Sequence, residues 1–271
     1  MSSALARVLV VVKASPQPSR RYGDTVCVAG LELTDGPPRW RRLYPVPFRY
    51  LDGEAQFRKY DVLDVRLRDA SPDKRPESRK IDVSGIRTTQ NLASWQDRAR
   101  VIGQVRDPTM CRLVRNARTD LNAQSLAAVT PRGIDGLDFE PHPGWSPIER
   151  AKLDEYRRQG DLFDAGPVRA LEAPRLVVKL RYRCTEPGCE GHAQRIIDWE
   201  LTALQSRYRQ QTRDELERVI TRNFLEIPFG DGREPRIFVG NQEDPRRRAA
   251  FTVLGLYYPR TSDAWLQDGL F

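Results

Sequence analysis

The segment Cys184-Thr-Glu-Pro-Gly-Cys189-Glu-Gly-His192 holds the residue types in this chain most able to do metal chemistry. Thiolate sulfur and imidazole nitrogen are favoured zinc donors, and four such donors at about 2.0–2.3 Å complete a site. The C-x4-C-x2-H spacing lies within the ligand intervals of small zinc knuckles. Pro187-Gly188 supplies a tight turn, and Gly188 and Gly191 permit backbone angles closed to other residues. Cys184, Cys189 and His192 are therefore the expected ligands of a structural zinc ion. The plain alternative is a hairpin loop that carries two cysteines and a histidine by chance.

The fourth ligand is not local, because no partner C-x2-C or H-x3-H follows. Asp198 would lie about 20 Å from His192 if the chain between them is extended at about 3.3 Å per residue. His142, Cys27, Cys111, Glu186, Glu190 or water remain open for the place. Cys27 and Cys111 read otherwise as core thiols. Four cysteines at unequal spacing, without an export signal, argue against a disulfide scaffold and for a reducing compartment.

Asp198-Trp199-Glu200, on a strand, would set two carboxylates on one face, as metal-dependent nucleases need near a phosphate. A nuclease or other phosphodiester hydrolase is the competing enzyme reading, although no lysine follows at the usual spacing. Serine and cysteine nucleophile signatures are missing, and two histidines leave little for a general base. The expectation leans away from an enzyme.

Aromatic and basic residues interleave at Arg20, Arg21 and Tyr22, and again at Arg39, Trp40, Arg41, Arg42 and Tyr44. Flat rings that stack bases beside guanidinium groups that track phosphates are the equipment of single-strand binders. Arg246, Arg247 and Arg248 read as a phosphate clamp in a loop. These eleven positions are the expected nucleic-acid contacts, though the same alternation on a strand also arises when rings point to a core and charges to water.

Strands must position these groups. Arg7 to Lys13, Thr25 to Leu33 and Trp40 to Tyr44 are β-branched or aromatic, the last two joined by the turn 34–38. Leu63, Val65 and Leu67 alternate with Asp64, Arg66 and Arg68, the period of a half-buried strand. A strand over Lys80 to Thr88 completes a set of five, which suggests a small barrel. Helices are expected from Trp95, capped by Ser94, and around Thr109 to Ala117. The Pro- and Gly-bearing stretch Thr130 to Gly144 reads as a boundary, with a helix opening at Ser146. Leu176 to Cys184 alternates again, Gln194 to Leu201 reads as its returning strand, and Thr212 caps a helix to Phe224. Two last strands run from Arg236 to Val239 and Ala250 to Tyr258.

The composition fits these elements. With 45 Lys and Arg against 37 Asp and Glu, the formal charge of +8 favours polyanionic partners. At 39% hydrophobic the 271-residue chain is well outside the disordered class and has length for two domains. Val8 to Val12 is far too short for a membrane span or a secretory core, so a cytoplasmic protein without membrane contact is expected.

Three blocks carry a family likeness: Arg21 to Gly30 with Arg42 to Tyr50, Cys184 to Leu201, and Phe238 to Asn241 with Phe251 to Pro259. In these the chain resembles the bacterial proteins described as dual OB-containing. The resemblance implies two OB-type barrels and a nucleic-acid-sensing role in bacterial conflict or antiviral defence, and it brings no catalytic residues. The expected fold class is thus mainly β with helical inserts (α+β), with two small OB-like β-barrels, the second carrying a zinc-knuckle hairpin. Residues 1–125 form the first barrel domain with its helical insert, 126–170 a linker with a helix, and 171–271 the second. The expected role is a nucleic-acid-binding accessory or sensor protein, DNA or RNA, with structural zinc and a possible protein partner from the same system. A protein–protein adaptor is the remaining alternative.

Overall fold

The computed structural model describes residues 4–51, 55–70, 73–162 and 171–264. Strands dominate it. β1 (Ala4–Lys13), β3 (Gly23–Leu33), β4 (Arg39–Val46), β5 (Asp61–Asp69) and β6 (Ser78–Ile81) close a ring. β1 pairs with β3 on one side and β5 on the other; β3 pairs with β4, and β6 joins β5 antiparallel to β4 parallel through Arg42↔Ser78. Numbered along the ring strands alone, the order is 1-2-3-5-4-1, consistent with an OB-like barrel. β2 (Gln17–Ser19) and β7 (Arg87–Asn91) add short pairings to β3 and β5.

Closure follows from the period-two pattern. Val8, Val10, Val26, Val28, Leu43, Leu63 and Val65 are fully buried inside the ring. The alternate residues of β1, β3 and β5, namely Leu9, Leu31 and Val62, are buried too, in a separate cluster outside it. A barrel whose strands are apolar on both faces must be covered, and the second half of the chain covers it.

The expected strand Lys80 to Thr88 is two strands: a 3₁₀ turn at Val83–Gly85 separates β6 from β7. α1 (Trp95–Ile102) and α2 (Met110–Thr119) follow, each capped by a hydroxyl, Ser94 accepting from the Asp97 N–H and Thr109 from the Arg112 N–H. The stretch expected as a boundary and linker instead contains β8 (Leu126–Val129) and β9 (Pro131–Pro141). Its Pro and Gly are tolerated because β9 bonds to a neighbour on one side only and carries two register shifts. α3 (Pro147–Leu162) comes next; residues 163–170 of the expected linker lie outside the described residues.

β10 (Leu176–Cys184) lies between β9 and β11 (His192–Arg195), and β12 (Arg236–Asn241) between β8 and β13 (Phe251–Tyr257). The two sheets touch where Ile196 forms a parallel bridge to Val253. α4 (Trp199–Arg207), α5 (Arg213–Thr221) and a π-turn at Arg222–Glu226 connect β11 to β12, and α6 (Thr261–Ala264) ends the described chain. The expected returning strand Gln194 to Leu201 thus stops at Arg195 and yields to α4, because Asp198 caps that helix by accepting from the Glu200 N–H. Among the described residues no helix is long and apolar enough to cross a membrane.

Candidate metal centre

Period two brings the first ligand to its place. Leu176, Val178, Leu180, Tyr182 and Cys184 of β10 all point inward and are buried, so the strand ends with a thiol on its core side. The chain then reverses through a turn that the Cys189 N–H closes on the Glu186 carbonyl at 3.2 Å. Gly188 and Gly191 hold φ of +73° and +118°, in the region that disfavours side chains. His192 opens β11 directly opposite Tyr182, its ring 5.4 Å from the tyrosine ring.

The fourth group is Cys111, the second residue of α2. The donor atoms of Cys111, Cys184, Cys189 and His192 all lie within 4.8 Å of one another. Cys111 Sγ is 3.6 Å from Cys184 Sγ and 3.5 Å from His192 Nε2, which is 3.4 Å from Cys189 Sγ. A tetrahedron with centre-to-donor lengths of about 2.0–2.3 Å has edges of about 3.3–3.8 Å. The cluster is therefore compatible with a metal site. Burial, reinforced by hydrogen bonds with the neighbouring thiols, pushes the Cys111 thiol up to about 12. Burial holds His192 below its ordinary range, neutral and able to offer a lone pair. Three thiols this close cannot all ionise without a cation among them.

α2 is held against the turn by more than the thiols. Glu186 accepts from the Thr109 hydroxyl, and at 2.6 Å from Arg115. Tyr182 donates to Gln194 Oε1 at 2.8 Å, and Gln194 Nε2 reaches Met110 Sδ at 3.3 Å. These bonds orient the helix that carries Cys111 toward the turn. The reading of Cys111 as a core thiol is corrected: it is half-buried and faces the other donors, while Cys27 is half-buried beside the Arg42 guanidinium at 3.4 Å. All four cysteines are free thiols.

Residues 105–271 match the family described as a domain of unknown function, DUF8757, and so include all four donors. The chain belongs to the DUF8757 family. A second domain of unknown function, DUF8758, matches residues 4–104. No curated protein matches the chain.

In this DUF8757 protein the expected nucleic-acid contacts scatter. Trp40 is 8% exposed; its Nε1 donates to Asp107 at 3.1 Å and its ring meets Phe238 edge-on at 5.9 Å. Arg42 is buried on Ser125, and Arg41 pairs with Glu32 at 2.5 Å. Trp40 and Arg42 of β4 therefore pack between the halves, against Phe238 of β12 and Ser125 just before β8, and offer no base-stacking surface. Of the remaining residues in the first two blocks, Arg39 and Tyr44 are exposed, Arg20 pairs with Glu155, and Arg21 lies over the Tyr22 ring. Arg246 pairs with Asp244 and Arg247 is exposed, but Arg248 is buried and cannot serve as part of a surface clamp.

Asp198 and Glu200 do not form the expected strand pair. Asp198 is buried as the α4 cap, and Glu200 lies 3.7 Å from the Lys59 ammonium. Burial, against the pull of Lys59, pushes Asp198 up to about 7. His142 is not among the clustered donors; its Nδ1 accepts from the Gly144 N–H in the loop after β9.

Proposed function

We propose that this protein is a non-catalytic nucleic-acid-binding module of two OB-type barrels, the second closed by structural zinc. For the second barrel, β8 and β9 act as one bent strand that pairs with β12 at one end and β10 at the other. Adding β11, its bridge from Ile196 to β13, and the β12–β13 pair again yields the order 1-2-3-5-4-1. Three thiolates and an imidazole are a zinc donor set, and a site whose four positions all come from protein has no opening for substrate. Here the ion would tie α2 to the β10–β11 turn.

The observation that carries the binding reading is the outer wall of the first barrel. Arg7, Arg66, Arg68, Lys80 and Arg87 stand in neighbouring registers of β1, β5, β6 and β7, among the carboxylates of Asp64 and Asp82. Arg68 and Lys80 lie directly opposite each other, with Asp82 3.4 Å from the Arg68 guanidinium, so cations stand close together on this face. With the net charge of +8, this wall suits a phosphate backbone.

Fluorescence anisotropy with labelled single-stranded and duplex DNA and RNA, titrated with salt, tests the reading. Affinity should fall steeply with salt, and Arg66→Glu with Arg68→Glu should weaken every sequence alike by at least tenfold. Absence of binding to all four ligands at low salt would sink it.

A further inference from the structure

The seam between the halves holds more buried cation than its neighbours neutralise. Arg42 on β4 and Arg248 in the loop between β12 and β13 are each 3% exposed, and Arg75, before β6, is 8% exposed. Arg75 has a carboxylate, Asp73, at 2.7 Å, and donates to the Asn241 carbonyl at 2.7 Å. Arg42 and Arg248 form no ion pair among the described residues. Arg42 donates to Ser125 O at 3.0 Å, Ser125 Oγ at 3.1 Å and Cys27 Sγ, and Arg248 to Gln242 O at 3.3 Å. Glu77, the other buried acid here, accepts from the Ser125 N–H and hydroxyl at 2.8 and 2.6 Å.

Four polar atoms at this seam are buried without a hydrogen-bond partner: Arg42 Nε, Arg248 Nε, and both Oδ1 and Nδ2 of Asn241. Buried polar groups left unpaired are costly, and a buried charge without counter-charge more so. Burial, then the like charge of Arg75 and of Arg42, presses the Arg248 guanidinium below its ordinary range, with Asp73 and exposed Glu243 opposing. Among the described residues, three guanidinium groups here face the two carboxylates of Asp73 and Glu77, which leaves one positive charge in excess. Water would satisfy donors but neutralise nothing, whereas a tetrahedral oxyanion does both, and guanidinium forks match its oxygens.

We propose that this seam is a phosphate-class oxyanion site, with Arg248, Arg42 and the Asn241 amide as its donors. The loop 242–250 is the way in, because it carries Arg248 inward and exposed Arg246 and Arg247 on its outer side. The site deepens the nucleic-acid reading and rests on it for its source, a phosphate of a strand or strand end; free phosphate offers the same chemistry.

The test uses the full chain in buffer free of phosphate and sulfate. Thermal unfolding is followed against inorganic phosphate, against sodium chloride at equal ionic strength, and against a 12-mer with a 5′-phosphate or a 5′-hydroxyl. Phosphate should raise the midpoint by several degrees beyond sodium chloride, and Arg248→Met should lose that rise. Asn241→Asp, which brings its own negative charge, should raise the midpoint without phosphate and abolish the response, and it serves if Arg248→Met does not fold. No phosphate shift beyond that of sodium chloride, or an equal shift in both variants, overturns the site. If that shift is absent while the 12-mers still bind, the seam proposal falls and the nucleic-acid reading stands. If phosphate acts as expected but no oligonucleotide binds at low salt, the seam site stands with free phosphate as its source, and the nucleic-acid reading falls.

Discussion

Cys111 is the residue on which the metal centre turns, because without it the β10–β11 turn offers three donors and an open corner. Cys111→Ser should therefore strip the metal, and elemental analysis of the purified variant should find well under one ion per chain where the parent holds about one. Cys27→Ser should leave the content unchanged, since that thiol lies against Arg42 rather than among the donors. A second residue-scale expectation concerns pH. Asp198 in the fold is held at about 7, above its unfolded value near 3.8. The folded state then binds the proton more tightly, so this group's contribution to stability declines as pH rises from about 4 to about 7. Asp198→Asn keeps a capping side chain and removes the titration. Denaturant unfolding at several pH values should show the variant gaining on the parent through that window; a constant difference would exclude the burial-driven shift.

At the scale of elements, the turn and the helix that meets it behave as one clasp. Gly188 has φ +73°, yet an added Cβ there would meet nothing within 4 Å, so the strain of Gly188→Ala is purely conformational. That change should cost about 1–2 kcal/mol and loosen metal retention in a chelator competition. Gly36→Ala, on the β3–β4 turn, is also open around its Cβ and has no such φ, and should be near neutral in the same denaturant midpoint measurement. Much of this level is legible in sequence. The caps Ser94 and Thr212, the alternation of β5 and β10, and the Pro-Gly reversal are local signals with local causes. β9 is not legible, because Gly133, Gly136 and its flanking prolines look like a loop until a neighbour strand supplies hydrogen bonds. The end of β11 is equally hidden, since Asp198-Trp199-Glu200 fits a strand as readily as a capped helix start.

For the whole molecule, the decisive arrangement is the packing of the β8–β12–β13 sheet on the outside of the closed barrel. Leu9, Leu31, Trp40 and Val62 meet Leu126, Ala128, Phe238, Leu254 and Tyr257 in one apolar layer. Trp40→Ala should destabilise the protein by about 3–5 kcal/mol, as removal of a large buried ring does, and should leave the remaining folded protein's nucleic-acid affinity unchanged. Arg66→Glu with Arg68→Glu should show the reverse, a small change in unfolding midpoint with a large one in anisotropy. If Trp40→Ala instead abolishes binding at a temperature where the variant is folded, the outer wall is not the principal contact surface.

The grouping of Cys184, Cys189 and His192, the excess of cations and most strand identities were determined by the sequence alone, because they depend on composition or on neighbours a few residues away. Tertiary structure decided the rest. Cys111 stands 73 residues from Cys184 and meets it only because α2 docks on the turn. The alternation of β4 looks the same whether its outer face meets water, bases or another sheet, since all three accept an aromatic ring beside a guanidinium group. What covers that face is a long-range contact, and local spacing carries no record of it.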